Sequence, residues 1–173
     1  MKILIAYSSL TGNTKKLATA IEEVLEGSIL KNINEIKDYN SLENYDVILV
    51  GTWIRRASAD PKAQEFISKI HNKKIGFFFT LGAYPDSDYA NIRCPENIKE
   101  LFKKNGNKIL GHFHCHGALS KNLQEKVKRR AKKAGEIVPK DKILRWEKAS
   151  THPNLEDLEN CKKYFTNLLK TEK

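Results

Sequence analysis

The residues best equipped for chemistry come early in the chain. After the apolar run Ile3-Leu4-Ile5-Ala6-Tyr7 stands Ser8-Ser9-Leu10-Thr11-Gly12-Asn13-Thr14, directly before a helical pattern. Four hydroxyls and one side-chain amide therefore crowd the positive end of a helix dipole, where backbone N–H groups without helical partners can meet an anion. The loop is neither G-x-G-x-x-G nor G-x-x-x-x-G-K-[ST], so the fingerprints for a dinucleotide pyrophosphate and for a nucleoside triphosphate are both missing. One glycine among hydroxyl donors suits a single terminal phosphate held from several sides. The alternative is an ordinary serine/threonine-rich helix cap.

Three later segments add candidates. Trp53, in Thr52-Trp53-Ile54-Arg55-Arg56-Ala57-Ser58, offers a flat apolar surface; lone tryptophans after buried strands are more often core-edge residues. In Thr80–Asp88, Gly82 and Pro85 mark a tight turn that carries Tyr84. His112, His114 and His116 alternate onto one strand face and Cys115 onto the other. Three histidines on one face admit a metal, but no carboxylate lies near them in sequence, which weighs against one. His116 could instead titrate beside a ligand near neutral pH. No Asp–His–Ser or Cys–His nucleophile can be assigned from the spacing.

These loops must hang from a scaffold. Strands are expected at Lys2–Tyr7, Asp46–Thr52, Lys74–Thr80 and Lys108–Cys115, with a weaker one near Ser28–Ile36. The nearly continuous apolar runs 46–50 and 75–79 fit strands covered on both faces. Helical periodicity lies between them, in Leu17–Leu25 stopped by Gly27, in Ala63–Ile70 after Pro61, and in Ile98–Phe102 with Pro95 as first helical residue. A C-terminal helix over about 154–170 is capped by Asn154. Residues 136–153 read as a connector. The alternation predicts an α/β doubly wound three-layer sandwich around a five-stranded parallel sheet of order 2-1-3-4-5, with ligands beyond the carboxyl ends of the strands. The whole of 1–173 is expected to form one domain.

Charge and cysteines narrow the setting. The chain carries a net +10, and between Lys121 and Lys148 eleven basic residues face four acidic ones. That patch is either a solvated helix face or a surface for nucleic acid, an acidic protein or an anionic surface. Three cysteines without a C-x-x-C argue against a disulfide framework or a cysteine-built zinc site. No apolar run reaches membrane-spanning length and no signal-peptide core is present, so a cytoplasmic location without membrane contact is expected. A response-regulator receiver, which shares the topology, needs acidic residues after strand 1 and an aspartate after strand 3. Ser8-Ser9 and Thr52-Trp53 stand in those places.

Ser9-x-Thr11-Gly12-x-Thr14 resembles the phosphate loop [T/S]-x-T-G-x-T of the flavodoxins, and the likeness extends over nearly the full chain. Gly51-Thr52-Trp53, Thr80–Ser87 and His152–Asn160 are similar to motifs of an anaerobe-associated subgroup. The resemblance implies flavin mononucleotide (FMN) as cofactor. Ser9, Leu10, Thr11, Gly12, Asn13 and Thr14 would hold its phosphate. Thr52, Trp53, Ile54 and Arg55 would flank the ring, with Trp53 stacking. Thr80, Leu81, Gly82, Ala83 and Tyr84 would meet its polar edge. It implies an electron carrier of anaerobic metabolism, a monomer or weak dimer, served by partner proteins such as a flavoprotein reductase, including reductases acting on tetrapyrrole pigments. Flavodoxins are usually acidic. A basic chain should dock on acidic partners and, with Arg55 and Arg56 after Trp53, favour the reduced flavin. The alternatives are an FMN-dependent NAD(P)H:quinone or nitro reductase on the same scaffold, and a basic module binding nucleic acid. Nucleic acid ranks last because few aromatics interleave the patch.

Overall fold

The computed structural model describes residues 1–172. Its strands are β1 (Ile3–Tyr7), β2 (Ile29–Asn32), β3 (Val47–Arg55), β4 (Ser58–Ala59), β5 (Lys74–Leu81) and β6 (Lys108–His116). The helices are α1 (Asn13–Val24), α2 (Pro61–Ile67), α3 (Cys94–Lys103), α4 (Lys121–Lys133), α5 (Lys140–Ala149) and α6 (Leu155–Lys170). Five strands run parallel in the order β2-β1-β3-β5-β6, the doubly wound arrangement expected. The sixth, β4, is a two-residue addition that pairs antiparallel with the end of β3.

The central strands are buried on both faces because their side chains alternate between two cores. Phe77 and Phe79 point into the core closed by α2 and α3, while Phe78 points into the one closed by α1 and α6. All three rings are fully buried, each contributing about 1.5–3 kcal/mol of apolar burial. Gly51 sits opposite Phe78, and a Cβ there would come 2.4 Å from that ring. The glycine of Gly51-Thr52-Trp53 is thus required by packing. His112 stacks on Phe77 with centroids 5.0 Å apart, and His114 on Phe79 at 4.9 Å. These two histidines act as aromatic rungs between β5 and β6. Among the described residues no group of three or more His, Cys, Asp or Glu is gathered as a metal site. Cys94, Cys115 and Cys161 are buried free thiols.

Two expectations are corrected. Residues 140–149, read as connector, form α5, which buries only Trp146 and Ala149; two anchors are too few to give a periodic signal. Pro95 is the second helical residue of α3, not the first, because a wide π-type turn at Tyr89–Arg93 runs straight into it. No described helix is long and apolar enough to cross a membrane.

Register brings the working loops together. Tyr7 pairs with Gly51, Gly51 with Phe78, and Phe78 with Phe113, so β1, β3, β5 and β6 all end at one edge of the sheet.

Candidate functional site

At that edge the hydroxyl loop does not behave as an ordinary cap. The N-cap of α1 is Gly12, in the left-handed region at φ 87°, and no side chain bonds to the helix end. The first helical hydrogen bond of this turn runs from Lys16 N–H to Gly12 O, at 3.1 Å, which leaves the amides of Asn13, Thr14 and Lys15 without helical acceptors. Elsewhere the caps Asp60, Ser120 and Asn154 do accept from backbone amides. The Ser9 hydroxyl is buried with no partner among the described residues. A buried, unpaired hydroxyl beside an uncapped helix start is a donor set that an anion would satisfy.

The other polar groups of the loop are committed to holding it. Asn13 Nδ2 donates to Thr11 Oγ1 at 3.0 Å and to Ala118 O at 2.9 Å. Thr14 Oγ1 lies 3.1 Å from Thr80 Oγ1 and 3.4 Å from Thr52 O, all three residues being buried. Thr52 Oγ1 in turn donates to Asp60 Oδ2 at 2.9 Å, and that carboxylate also caps α2. Thr14, Thr52 and Thr80 therefore form the floor that fixes three loops relative to one another.

Above this floor lies a cavity of about 190 Å³ lined by Leu10, Thr11, Asn13, Trp53, Ile54, Thr80, Leu81 and Gly82, together with the segment from Gly117 to Ser120 and Leu123. A neighbouring cavity of about 480 Å³ shares Ile54, Leu81 and Gly82 and adds Ala83, Tyr84, Ser87, Tyr89 and Arg145. Trp53 is half-buried at the first cavity rather than packed into the core. Arg55 and Arg56 are exposed at the tip of the β3–β4 turn, outside both cavities. That turn holds Arg56 and Ala57 at positive φ, 53° and 60°, as a type I′ hairpin demands of two residues that are not glycine. Tyr89 Oη accepts from Ala57 N–H at 2.9 Å and Asn97 Nδ2 donates to Ala57 O at 2.8 Å, which pins the strained pair.

The third loop is pinned as firmly. Ser87 Oγ donates to Tyr84 O at 2.6 Å, and His114 Nε2 lies 2.9 Å from Pro85 O. Tyr84 has the Lys148 ammonium 5.5 Å from its ring centroid and the His116 ring at 5.8 Å. His116 is only 5% exposed and its Nε2 has no partner among the described residues. Burial first, and then the nearby His152 imidazole, push its pKa down. His152 Nδ1 lies 2.5 Å from Asp157 Oδ2, and Asp157 closes a capping box with Asn154. The His152–Asn160 motif is thus a helix start that sets His152 against His116.

The sequence marks the loop after Cys115 as one that borders a ligand but does not single out its residues, and Gly117-Ala118-Leu119-Ser120 form the fourth wall. A Cβ on Gly82 would come 2.2 Å from Leu119 Cδ1, so this loop closes directly over the third one. The signal was present: every loop at the carboxyl edge of a doubly wound sheet is a candidate, and Ser120 marks a helix cap.

Comparison with known proteins agrees with this geometry. The flavodoxin domain model matches residues 4–166. The chain is 34% identical over 176 aligned positions to the flavodoxin-like domain-containing protein BilS of Clostridioides difficile (strain CD3), covering 98% of this chain and 97% of that protein. Oxidised flavodoxin 2 from Bacillus cereus superposes with a TM-score of 0.62 at 20% identity, covering 99% of each chain. A flavoprotein from Lactobacillus acidophilus NCFM, solved in complex with FMN, gives 0.52 at 20% identity over 65% of this chain and 92% of its own. An unpaired hydroxyl at an uncapped helix start, a half-buried tryptophan and three interlocked loops at the switch point are joined by a family match over most of the chain: it belongs to the flavodoxin family, whose members bind FMN.

Proposed function

We propose that this protein is an electron carrier that uses non-covalent FMN, taking electrons from a reductase and passing them to a partner enzyme. The observation that carries the phosphate assignment is the buried, unpaired Ser9 hydroxyl next to the uncapped start of α1. Ser9, Thr11 and the amides of Asn13, Thr14 and Lys15 would hold the phosphate, with Leu10 and Gly12 shaping the loop. Trp53 and Ile54 would flank the ring. The backbone from Thr80 to Tyr84 would face its polar edge. Arg55, outside the cavities, would act on the ring only through its charge.

When bound, the flavin supplies one- and two-electron chemistry. The protein's part is to bind and orient it, exclude water from one face, and leave an edge open to partners. No general acid or nucleophile is needed for that work. The proposed setting is anaerobic metabolism, on the strength of the motifs at Thr80–Ser87 and His152–Asn160, and the cytoplasm, on the expectation drawn from the sequence. The proposed partners are proteins with acidic docking surfaces, a flavoprotein reductase among them.

The test is an absorbance and fluorescence titration with FMN and, in parallel, with riboflavin, which lacks the phosphate. Binding of FMN with a perturbed spectrum and quenched emission, at least about tenfold tighter than riboflavin, is expected. Ser9→Ala should narrow that preference. A flat titration with intact far-UV circular dichroism would overturn the reading. The FMN-loaded protein should not turn over NADH or NADPH with a quinone by itself; turnover would favour the reductase alternative.

A further inference from the structure

A doubly wound sheet needs one helix after its last strand, and α6, packed beside α1, already covers that face. The helices α4 and α5, inserted between β6 and α6, are not needed to close either core. Gln124, Val127 and Ala131 give α4 a narrow half-buried stripe, and the helix buries no residue fully. Its seven basic side chains occupy the remaining circumference, and among the described residues one of them, Lys128, forms an ion pair, with Glu125. With α5, the segment Lys121–Lys148 holds a net seven of the chain's ten positive charges.

The position of this charge gives it meaning. The segment that starts α4 supplies Ser120 and Leu123 to the smaller cavity. The helix α5 supplies Arg145 to the larger one and sets Lys148 over Tyr84. Leu10 and Leu123, 69% and 44% exposed, are apolar residues at the mouth of the smaller cavity. An apolar spot bordered by cations that, Lys128 apart, have no carboxylate partner among the described residues has the anatomy of a protein interface, with the contact centre at the cavity and the steering charge around it. Single-stranded nucleic acid would need exposed aromatics among the cations, yet the only aromatic of α4 and α5 is Trp146, which is buried.

We infer that α4 and α5 form the docking surface for an acidic redox-partner protein, delivering it to the mouth of the cavity. This rests on the carrier reading above and adds the surface by which the carrier finds its partner.

The experiment uses cytochrome b5, an acidic haem protein, as probe and basic cytochrome c as control. Binding of each to the full chain is titrated at about 20 and about 200 mM salt, with and without FMN. Wild-type protein should bind cytochrome b5 and not cytochrome c, and lose roughly tenfold in affinity at the higher salt. The variant Lys126→Glu/Arg129→Glu/Arg130→Glu/Lys133→Glu touches neither core nor cavity. It should lose cytochrome b5 binding by roughly tenfold or more at low salt, with its FMN titration unchanged. Photoreduced, FMN-loaded wild type should also pass one electron to each ferric haem of cytochrome b5 faster than the variant does. Equal binding by wild type and variant, or no discrimination between the cytochromes, overturns the inference. Binding of a short DNA duplex without binding of cytochrome b5 would replace it with the nucleic-acid reading. Salt-dependent docking by a chain that takes up no FMN would sink the carrier reading while the surface stood.

Discussion

The hydroxyls of Thr14 and Thr80 lie 3.1 Å apart although 66 residues separate them in sequence. One belongs to the first loop and the other to the end of β5, so this buried contact ties the proposed phosphate side of the site to its proposed ring side. Thr14→Val keeps the shape and removes the bond, leaving the Thr80 hydroxyl unpaired. We expect a loss of about 1–3 kcal/mol by urea denaturation and weaker FMN binding by fluorescence titration. Thr14→Ser should restore both.

Gly51→Ala would drive a methyl group into Phe78, with Thr14 Cγ2 also only 3.1 Å from the new Cβ. Overpacking at a fully buried ring predicts destabilisation of about 1–3 kcal/mol and disturbance of the first loop through Thr14. A Gly51→Ala protein as stable as the parent in urea would refute the packing argument.

Trp53 and Trp146 are the two tryptophans, and Trp146 is buried away from both cavities. Adding FMN should quench most of the Trp53 emission and little of the Trp146 emission. Trp53→Ala should abolish that quenching and weaken FMN binding by roughly tenfold, about the worth of one aromatic stacking contact.

His112 is pushed down to about 4, by burial first and then by the charges of His114 and Lys99. Because its folded pKa lies below the unfolded one, the unfolded chain takes up the proton more readily. The associated stability is therefore present above about pH 6.5 and is lost as pH falls from there towards about 4. With the ring partly open to solvent, the full effect is on the order of 1–2 kcal/mol. Urea midpoints at several pH values should fall less steeply with acid for His112→Phe, which keeps a ring against Phe77 and cannot be protonated.

Arg55 and Arg56 stand exposed on the β3–β4 turn, where screening leaves each charge at most a few tenths of a kcal/mol at the ring. Potentiometry of the FMN-loaded Arg55→Glu/Arg56→Glu protein should show a reduction potential more negative by on the order of 20 mV. A shift several times larger would mean that the turn folds inward over the ring.

The parts of this molecule legible in the sequence are those where local chemistry and tertiary context agree. The run at 75–79 reads as a buried strand because Phe77, Phe78 and Phe79 fill cores on both sides of the sheet. The loop at 8–14 reads as the turn from β1 into α1 because its polar residues sit where a helix must begin. What stayed hidden depends on neighbours distant in sequence. The strand β4 is two residues held by pairing with β3, and α5 is anchored by Trp146 and Ala149 alone. The place of Leu119 over Gly82 follows from how far the β6 loop reaches back, a distance no local pattern encodes. Likewise, alternation puts His112, His114 and His116 on one face without saying what the rings touch. Two of them stack on phenylalanines, which only the pairing register of β5 and β6 reveals.

The three native thiols are all buried, and burial pushes each pKa up, that of Cys94 to about 11, so they remain protonated at neutral pH. The protein should therefore react little with maleimides while it stays folded. A single cysteine introduced at Lys128 or Lys132, on the open face of α4, would take one spin label or dye with little background. Distances from that label to the haem of a docked cytochrome b5 could then be read directly.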